Sequence, residues 1–399
     1  MTERLYFADA KLLEFTGRVT EILPRGDRWV VVLDRTAFYP TGGGQPHDTG
    51  RLGRARVIEV LEDEASGRIL HLVEDRPDFS VGDMVTGRID RERRWDHMQQ
   101  HTGQHILSQA FLRAAGAETK SFHLGARTAT IDLDIHRPEA TLIREAEELA
   151  NQIVFEDRPV NIHQVPRNEL DTWPIRRDTY HGDVIRVVEI SDFDYSPCGG
   201  THAARTGEVG LIAIRGWERV KKMCRVEFVC GRRALYDYRA ANEAAKAVAL
   251  TLSMARDEIP ERVAQLIEDN KHQRRRIREL FNVAATVEAA HLLQMAESRS
   301  GYRLVKHIFR DRSMDEVRIL AEKLCERGGV IALLGLDDHG AARLLFARSS
   351  DLDIHMGERM KEATGAFGGR GGGKPDMAQG GIPKIEQLSA CLDRVAAEV

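Results

Sequence analysis

The sequence predicts an α+β protein built from four regions, and the patterns along the chain differ from one region to the next. Residues 1–90 alternate apolar and polar side chains in short segments separated by Gly, Pro and Asp, which is typical of a small β-barrel. Residues 91–233 mix helical and strand patterns, which indicates helices against an antiparallel sheet. Residues 234–300 contain no glycine and favour a helical linker. Residues 301–399 alternate strand and helix signals, as in an α/β domain.

Length and composition limit the classes of protein that this chain can belong to. At 399 residues, it is too long for one ordinary domain. Its 42% hydrophobic and 30% charged residues describe a globular protein, and no apolar run approaches a membrane span. The N-terminus has no secretory signal pattern, and five irregularly spaced cysteines give no disulfide framework, so we expect a cytoplasmic protein. Because the net charge is −4, any nucleic acid must bind through local basic patches.

One segment interrupts the strands of the first region. The predicted strands are Leu13–Leu23, Trp29–Leu33, Arg56–Leu61, Ile69–Val73 and Met84–Ile89. Between the second and third lies the sequence FYPTGGGQPHDTG, which we call the glycine segment (Phe38–Gly50). Its three consecutive glycines allow backbone conformations closed to other residues and the close approach of a ligand. Taken alone, however, the segment favours a flexible hairpin turn.

Two histidines in the second region have the spacing of a metal-binding pair. The stretch MQQHTGQHILSQAF (Met98–Phe111) has the pattern of a half-buried helix. His101 and His105 lie four residues apart in it, so both side chains lie on one face and can share a metal ion. The pair alone is weak evidence, since two polar residues on a solvated face have the same spacing. His97 continues the same row and cannot be distinguished from the pair by spacing.

A second cluster strengthens the metal prediction. The sequence SPCGGTH places Cys198 and His202 four residues apart, and its Pro and Gly residues indicate a turn after the strand Val184–Ile190. A turn can present a thiolate and an imidazole to a distant helix, and three nitrogens with one sulfur are the ligands that zinc prefers. The alternative for Cys198 is a small buried apolar residue. Cys224 and Cys230 lie in a strand pattern and are predicted to be core residues.

The helical region is predicted to contain two helices that meet near Asp257–Ile259, with Pro260 in the first turn of the second. Such helices form a hairpin or a coiled-coil arm, whose apolar stripe either dimerises or packs within the chain. A homodimer could form through this linker or through the last domain. The basic run Lys271–Arg278 could contact an RNA backbone or be the solvated face of a helix.

The last region contains a second glycine-dense stretch. Predicted strands and helices precede it, at Tyr302–Phe309, Asp315–Arg327, Val330–Leu336, Ala341–Ala347 and Ile354–Ala363. Thr364–Gly381 then reads TGAFGGRGGGKPDMAQGG, and a helix at Ile385–Ala397 follows. We expect a loop whose backbone N–H groups, together with Arg370 and Lys374, suit phosphate groups. The order of a Walker loop is missing.

Together, HTGQH and CGGTH resemble the zinc-binding pattern of AlaX-type alanyl-tRNA editing proteins and of the editing domain of alanyl-tRNA synthetase. The glycine segment is similar to the glycine-rich loop of that family. The last region resembles the DHHA1 domain, which also occurs in DHH phosphoesterases, although no DHH motif precedes it. The resemblance covers nearly the whole chain and implies the long form of AlaX.

The resemblance implies a trans-editing hydrolase that removes serine or glycine from tRNA(Ala). It implies one Zn²⁺ per chain, held by His101, His105, Cys198 and His202. It also implies an amino-acid pocket lined by Gly42, Gly43 and Gly44, with Thr41 contacting a substrate hydroxyl and Gln45 and Asp48 shaping the pocket. By the same resemblance, the last domain contacts tRNA, with Arg370 and Lys374 as candidates.

The sequence leaves the mechanism and three other functions open. Four protein ligands suit a closed structural zinc site, whereas a catalytic zinc keeps one position open. The ion could therefore activate water, polarise a carbonyl or anchor the substrate amino group. The alternatives are an inert tRNA-binding module, a complete alanyl-tRNA synthetase, and a nucleotide phosphoesterase. No class II catalytic domain precedes the editing region, so amino-acid activation is not expected.

Overall fold

The computed structural model describes residues 1–175, 182–338 and 340–399. The chain divides into two compact units, Met1–Val248 and Ala249–Val399, and each is described on its own. Within the described residues, no helix combines the length and the apolar character needed to cross a membrane.

The first unit begins with a closed barrel. A short parallel pair, β1 and β4, accompanies six strands that close in the order β2-β3-β7-β6-β5-β8. Alternate side chains of these strands point inward, where Val31, Val57 and Ile69 are fully buried. The strands are β1 (Glu3–Arg4), β2 (Glu14–Arg25), β3 (Arg28–Leu33), β4 (Arg35–Thr36), β5 (Gly50–Leu52), β6 (Ala55–Asp63), β7 (Arg68–Val73) and β8 (Met84–Ile89).

The predicted metal-binding helix is α1 (Arg91–Ala115). It begins at the basic run, where the Asp90 side chain accepts hydrogen bonds from two backbone N–H groups, and it ends at Gly116 in the left-handed conformation. The expectation of a half-buried helix is wrong, because the stretch from His97 to Ser108 is buried on every side. Several of its polar side chains bond to other elements; Gln100, for example, exchanges two hydrogen bonds with the backbone of Cys230.

Two antiparallel sheets complete the first unit. One is four-stranded, in the order β14-β15-β10-β9, and shares a core with α1 and α2; the other is three-stranded, in the order β11-β12-β13. Strand β13 occupies part of the predicted turn, which therefore starts at Cys198. The elements are β9 (Thr119–Leu124), β10 (Ala129–Leu133), α2 (Ala140–Phe155), β11 (Val160–Pro166), β12 (Val184–Ile190), β13 (Asp194–Pro197), β14 (Ile212–Val220) and β15 (Met223–Cys230).

Two helices occupy the predicted linker. Helix α3 (Arg232–Leu252) and helix α4 (Ile259–Gln294) are separated by a short 3-10 turn, Arg256–Glu258, and Pro260 lies in the first turn of α4 as predicted. The boundary between the two units falls inside α3. The C-terminal end of α4 packs on the second unit's core through Ala285, Ala289, Leu292 and Leu293.

The second unit is a six-stranded sheet in the order β16-β17-β18-β19-β21-β20, with one parallel pair, β17 and β18. The prediction of a loop over Thr364–Gly381 is wrong, because β20 and β21 pair within it; we call this pair the glycine hairpin (Arg370–Ile382). The elements are β16 (Glu297–Arg299), β17 (Tyr302–Arg310), α5 (Met314–Cys325), β18 (Val330–Asp338), β19 (Ala341–Arg348), α6 (Met356–Ala366), β20 (Arg370–Gly373), β21 (Met377–Ile382) and α7 (Leu388–Glu398).

Candidate metal centre

The structure brings the four predicted ligands together. One potential ligand atom from each of His101, His105, Cys198 and His202 lies within 4.8 Å of the other three. All four residues are buried, with exposures between 0% and 6%. Imidazoles and a thiol that are buried together form a suitable ligand set for a structural or catalytic metal site, even when they come from distant parts of the sequence.

Two elements supply these side chains. Helix α1 places His101 and His105 on one face, one turn apart, with their ring centres 5.2 Å apart. The turn after β13 supplies Cys198 and His202, and the His202 ring centre lies 4.5 Å from that of His101 and 4.8 Å from that of His105. The three rings therefore converge on one point.

The Nδ1 atom of each histidine is held by a group outside the cluster. His101 Nδ1 lies 2.8 Å from Gln45 Oε1, and His105 Nδ1 lies 3.3 Å from Asp194 Oδ2. His202 Nδ1 lies 3.4 Å from the Thr102 hydroxyl. Engaging Nδ1 leaves Nε2 as the ligand nitrogen, which is how outer residues orient metal-binding histidines.

The donor set and its spacing fit zinc. Cys198 Sγ lies 3.4 Å from His101 Nε2 and 3.3 Å from His202 Nε2. In a tetrahedral zinc site, the usual bond lengths separate sulfur and nitrogen ligands by about 3.5 Å. The residues present could therefore hold one Zn²⁺ with little rearrangement.

The cluster also shifts the pKa values of its members. Burial raises the pKa of the Cys198 thiol, but the neighbouring imidazoles of His101 and His202 outweigh it and hold that pKa well below its usual range. Burial lowers the pKa of His202 to about 3. Burial also opposes protonation of His105, yet its hydrogen bonds to Asp194 and Cys198 raise its pKa to about 9. A thiolate among imidazoles is the form of cysteine that binds metals.

Glycines allow the surrounding backbone to approach the cluster closely. A Cβ atom on Gly200 would lie 2.2 Å from the His101 ring, and one on Gly44 would lie 2.5 Å from the Phe122 ring, whose centre is 5.5 Å from that of His101. Gly44 also has a φ of +80°, which disfavours any other residue. Gly200 of the CGGTH turn therefore leaves room for the His101 ring, and Gly44 of the glycine segment leaves room for the Phe122 ring.

The predicted pocket residues lie in different environments, and Gln45 is the one bonded to the cluster. Gln45 is buried and bridges the helix and the turn, because Oε1 accepts from the Thr201 N–H at 3.0 Å as well as bonding His101. Its Nε2 donates to the Thr201 hydroxyl. Asp48 is fully buried and pairs with Arg94, so it anchors the glycine segment to α1. Thr41 is exposed, and its hydroxyl lies 2.9 Å from His47 Nδ1.

The structure separates His97 from the four candidate ligands. His97 is buried but lies outside the four-residue cluster, and burial lowers its pKa to about 3. Cys224 and Cys230 are buried in β15, as predicted for core residues. Reasoning from the sequence missed Asp194 and Thr102: the first begins β13 and belongs to no motif, and the second is a small polar residue inside HTGQH.

The two candidate tRNA-contacting cations lie in the second unit. Arg370 begins β20 and Lys374 follows β20, and both side chains are exposed on the glycine hairpin. They are therefore two exposed cations at opposite ends of one edge strand.

Three family models match consecutive parts of the chain. Residues 6–93 match the model described as tRNA synthetases class II (A). Residues 185–227 match the threonyl and alanyl tRNA synthetase second additional domain, and residues 301–399 match the DHHA1 domain. The second of these matches includes the CGGTH turn.

Curated relatives match over nearly the whole chain. An alanine–tRNA ligase from Pyrococcus abyssi is 33% identical over 99% of this chain, which spans 43% of the ligase. The alanyl-tRNA editing protein AlaX-L from Pyrococcus horikoshii is 31% identical over 96% of this chain and 95% of that protein. Among solved structures, the C-Ala domain of Aquifex aeolicus alanyl-tRNA synthetase matches 26% of this chain at 20% identity, with a TM-score of only 0.25. The match to AlaX-L covers nearly all of both proteins at more than 30% identity, and the chain therefore belongs to the AlaX-L family of alanyl-tRNA editing proteins.

Proposed function

We propose that the protein is a trans-editing hydrolase that cleaves the ester between tRNA(Ala) and a wrongly attached serine or glycine. The observation that carries the proposal is the buried cluster of three imidazoles and one thiolate beside the glycine segment. The name of the AlaX-L relative supplies the substrate class. The reaction belongs in the cytoplasm, where charged tRNA is used for translation.

The proposed cofactor is one Zn²⁺ per chain, held by His101, His105, Cys198 and His202. When bound, zinc supplies a Lewis acid that can polarise a carbonyl or lower the pKa of a water molecule. The chain's own residues keep the ligands in place, since Gln45 and Asp194 hold the Nδ1 atoms of His101 and His105. An aminoacyl ester is already activated, so this fixed placement is the main contribution that we assign to the protein.

Selection for serine is assigned to the glycine segment. The Thr41 hydroxyl is exposed and close to His47, and we propose that it exchanges this partner for the hydroxyl of a bound serine. This hydrogen bond would favour serine over alanine, because alanine has no hydroxyl with which to form it. Correctly charged tRNA would then be spared.

The test replaces one ligand at a time. Cys198→Ala and His105→Ala should each lose zinc, measured by mass spectrometry, and should release serine from Ser-tRNA(Ala) at least about 100-fold more slowly. The exposed histidine of α4 gives a matched control, since His272→Ala removes an imidazole far from the cluster in sequence and should behave like wild type. Unchanged deacylation by both ligand variants, with zinc still bound, would exclude this centre.

We also propose that the protein forms a homodimer through α4. Apolar residues on this helix follow a heptad spacing at Val263, Leu266, Ile277, Leu280 and Val287, and their exposures range from 38% to 72%. Asn270 and Gln273 occupy the same stripe. Light scattering should give twice the chain mass, and the double variant Ile277→Glu, Leu280→Glu should give the single-chain mass.

A further inference from the structure

Two buried charges attach the glycine segment to the first turn of α1. Arg94 is 1% exposed, and Asp48 is completely buried. The Nε atom of Arg94 donates to both carboxylate oxygens of Asp48, at 3.1 and 3.2 Å, and Nη2 donates to Oδ2 as well. Burial of two charges costs hydration energy, so the pair is weak evidence for stability. Its directional hydrogen bonds, however, restrict how the two segments can lie against each other.

Arg94 also bonds to the backbone around the base of this segment. Nη1 donates to the Ala10 carbonyl at 2.7 Å, and Nη2 donates to the carbonyl of Ala37, which directly precedes the segment, at 2.6 Å. Asp48 closes the segment on itself, because its N–H donates to the Tyr39 carbonyl at 3.0 Å and its Oδ2 accepts from the Tyr39 N–H at 2.7 Å. Arg94 therefore holds both sides of the base of a hairpin-like loop.

The tip of the same loop reaches the metal centre. Gly42 and Gln45 exchange backbone hydrogen bonds of 3.0 and 3.1 Å, so Gln45 lies at the turn. Its Oε1 accepts from the Thr201 N–H at 3.0 Å and its Nε2 donates to the Thr201 hydroxyl at 2.8 Å, which fixes the orientation of the amide. The atom that faces His101 Nδ1 is therefore an acceptor, so Nδ1 is the donor and Nε2 remains for the metal.

The base and the tip of the loop are both bonded to α1, and the two spacings agree. Arg94 and His101 are seven residues apart in the helix, which is about 10.5 Å along its axis. Asp48 and Gln45 are three residues apart, which is about 10 Å of extended chain. The loop therefore lies along α1, with its base at Arg94 and its tip at His101. Seven residues are also close to two helical turns, so Arg94 and His101 lie on the same side of α1.

We propose that Arg94 is a positioning residue of the metal centre. By holding Asp48 at the first turn of α1, it sets where Gln45 lies on the same helix, and Gln45 in turn orients the His101 ring. The inference rests on the proposed function, since it assumes that the cluster holds an ion. It predicts that Arg94 and Gln45 are energetically coupled in metal binding, although their side chains bond to different groups.

A double-mutant cycle tests this coupling, with the zinc dissociation constant of the whole protein measured by competition with a chelator. Arg94→Lys keeps a positive charge beside Asp48 but cannot form all the hydrogen bonds of the guanidinium group. The change should weaken zinc binding by about 3-fold to 30-fold in the wild-type background. In the Gln45→Ala background it should weaken binding by less than about 2-fold, because no amide remains to be positioned. An equal loss in both backgrounds would overturn the proposal.

Arg233→Lys is the matched control for a loss of stability. Arg233 pairs with both carboxylate oxygens of Asp96 on α1 and donates to the Gly125 carbonyl, so its hydrogen bonds within the described residues all lie outside the glycine segment. This variant should lower the Tm to a similar extent and should bind zinc like wild type. An equal loss of zinc affinity in Arg233→Lys and Arg94→Lys would mean that reduced stability explains both, and would contradict the positioning role.

Arg93→Ala keeps the inference testable if Arg94→Lys does not fold. Arg93 is only half-buried, and its Nε donates to the His47 carbonyl at 2.8 Å, so its loss loosens the same base with less risk to folding. Arg93→Ala should weaken zinc binding less than Arg94→Lys, and the loss should again disappear in the Gln45→Ala background. Additive effects of Arg93→Ala and Gln45→Ala would overturn the proposal.

NMR of the histidine rings in the zinc-free protein separates this inference from the proposed function. The Nδ1–H signal of His101 should be shifted or lost in Gln45→Ala and in Arg94→Lys, and it should be unchanged in Arg233→Lys. An unchanged signal in Arg94→Lys overturns the positioning role even for a protein that binds zinc and deacylates Ser-tRNA(Ala). A wild-type protein that shows the expected coupling but releases no serine overturns the proposed function alone.

Discussion

The glycine segment of the first unit and the glycine hairpin of the second both depend on backbone that carries no side chain. In the glycine segment, Gly44 has a positive φ and leaves room for the Phe122 ring, next to His101. In the glycine hairpin, a Cβ on Gly373 would lie 2.5 Å from the Cα atom of Ala378 on the paired strand. The close neighbour is a side chain of the site in one case and a sheet partner in the other.

This difference limits what a run of glycines can reveal. A glycine-rich sequence indicates that another group lies close to the backbone, but it does not show whether that group is a side chain, a paired strand or a ligand. The glycine segment keeps an irregular backbone, so the Gln45 side chain can reach both α1 and the CGGTH turn. The glycine hairpin uses its backbone in a strand ladder, from Arg370 opposite Gly381 to Gly373 opposite Ala378.

The largest expected effect comes from Gly44→Ala. The substitution combines an unfavourable φ with a collision against Phe122, which together should cost about 2–5 kcal/mol of folding free energy. Because Phe122 lies beside His101, a displacement of the ring should lower deacylation by about 100-fold. Thermal unfolding and release of serine from Ser-tRNA(Ala) are the measurements.

Gly42→Ala is the matched control for this change. Gly42 has no positive φ, and its nearest neighbour to an added Cβ is the Tyr39 hydroxyl at 3.9 Å. This variant should keep the wild-type Tm and zinc content. A Gly44→Ala protein as stable and as active as wild type would show that the glycine segment tolerates side chains.

Gln45→Ala should have the next largest effect. The change removes the acceptor for His101 Nδ1 and the bridge to Thr201, while the four metal ligands remain. Loss of such an outer partner usually weakens metal binding by about 10-fold to 100-fold. Competition with a zinc chelator measures the dissociation constant. Gln45→Glu retains an acceptor oxygen and should bind zinc more tightly than Gln45→Ala; equal affinities would contradict the role assigned to this hydrogen bond.

Local spacing indicated from the sequence the four side chains that the structure brings together. His101 and His105 follow the helical repeat, and Cys198 and His202 share one short turn. Their outer partners were not predictable in the same way, because Gln45 and Asp194 belong to different elements and meet the histidines only after folding. The burial of α1 on all sides was missed for a related reason: its polar residues face partners that the helical pattern does not reveal.

The strand pairing of the second unit was harder to predict than its helices. Glycine has a low propensity for strands, so Thr364–Gly381 had the pattern of a loop. Helix α6 requires glycines in β20 and β21, since a Cβ on Gly380 would lie 2.6 Å from Met360 Sδ and one on Gly371 would lie 2.6 Å from Met360 Cγ. The helix lies so close that only glycines fit beneath it, and no local pattern carries that information.

Gly373→Ala tests the glycine hairpin as a structural element. The added Cβ meets backbone atoms of Met377 and Ala378, so we expect a loss of about 1–3 kcal/mol in the stability of the second unit. Gly372→Ala is the matched control, because its nearest contact is the flexible Lys361 side chain at 3.6 Å. Urea unfolding should separate the two variants, and zinc content should be normal in both. Loss of zinc in Gly373→Ala but not in Gly372→Ala would contradict the conclusion that the glycine hairpin supports the sheet of the second unit and not the metal centre.

The smallest expected effect comes from the two exposed cations of the glycine hairpin. If Arg370 and Lys374 contact tRNA phosphates, the double alanine variant should weaken tRNA binding several-fold and lower the slope of log K against log salt by about 0.7–0.9 per contact. Filter binding at several salt concentrations measures both quantities. Arg25→Ala, Arg28→Ala removes the same charge from the exposed turn between β2 and β3, to which no RNA contact is assigned, and serves as the matched control. An equal fall in slope for both double variants would mean that total charge, and not the hairpin, governs the affinity. A decrease in slope for the hairpin variant alone would support a role for β20 in RNA binding, in addition to its pairing with β21 in the sheet.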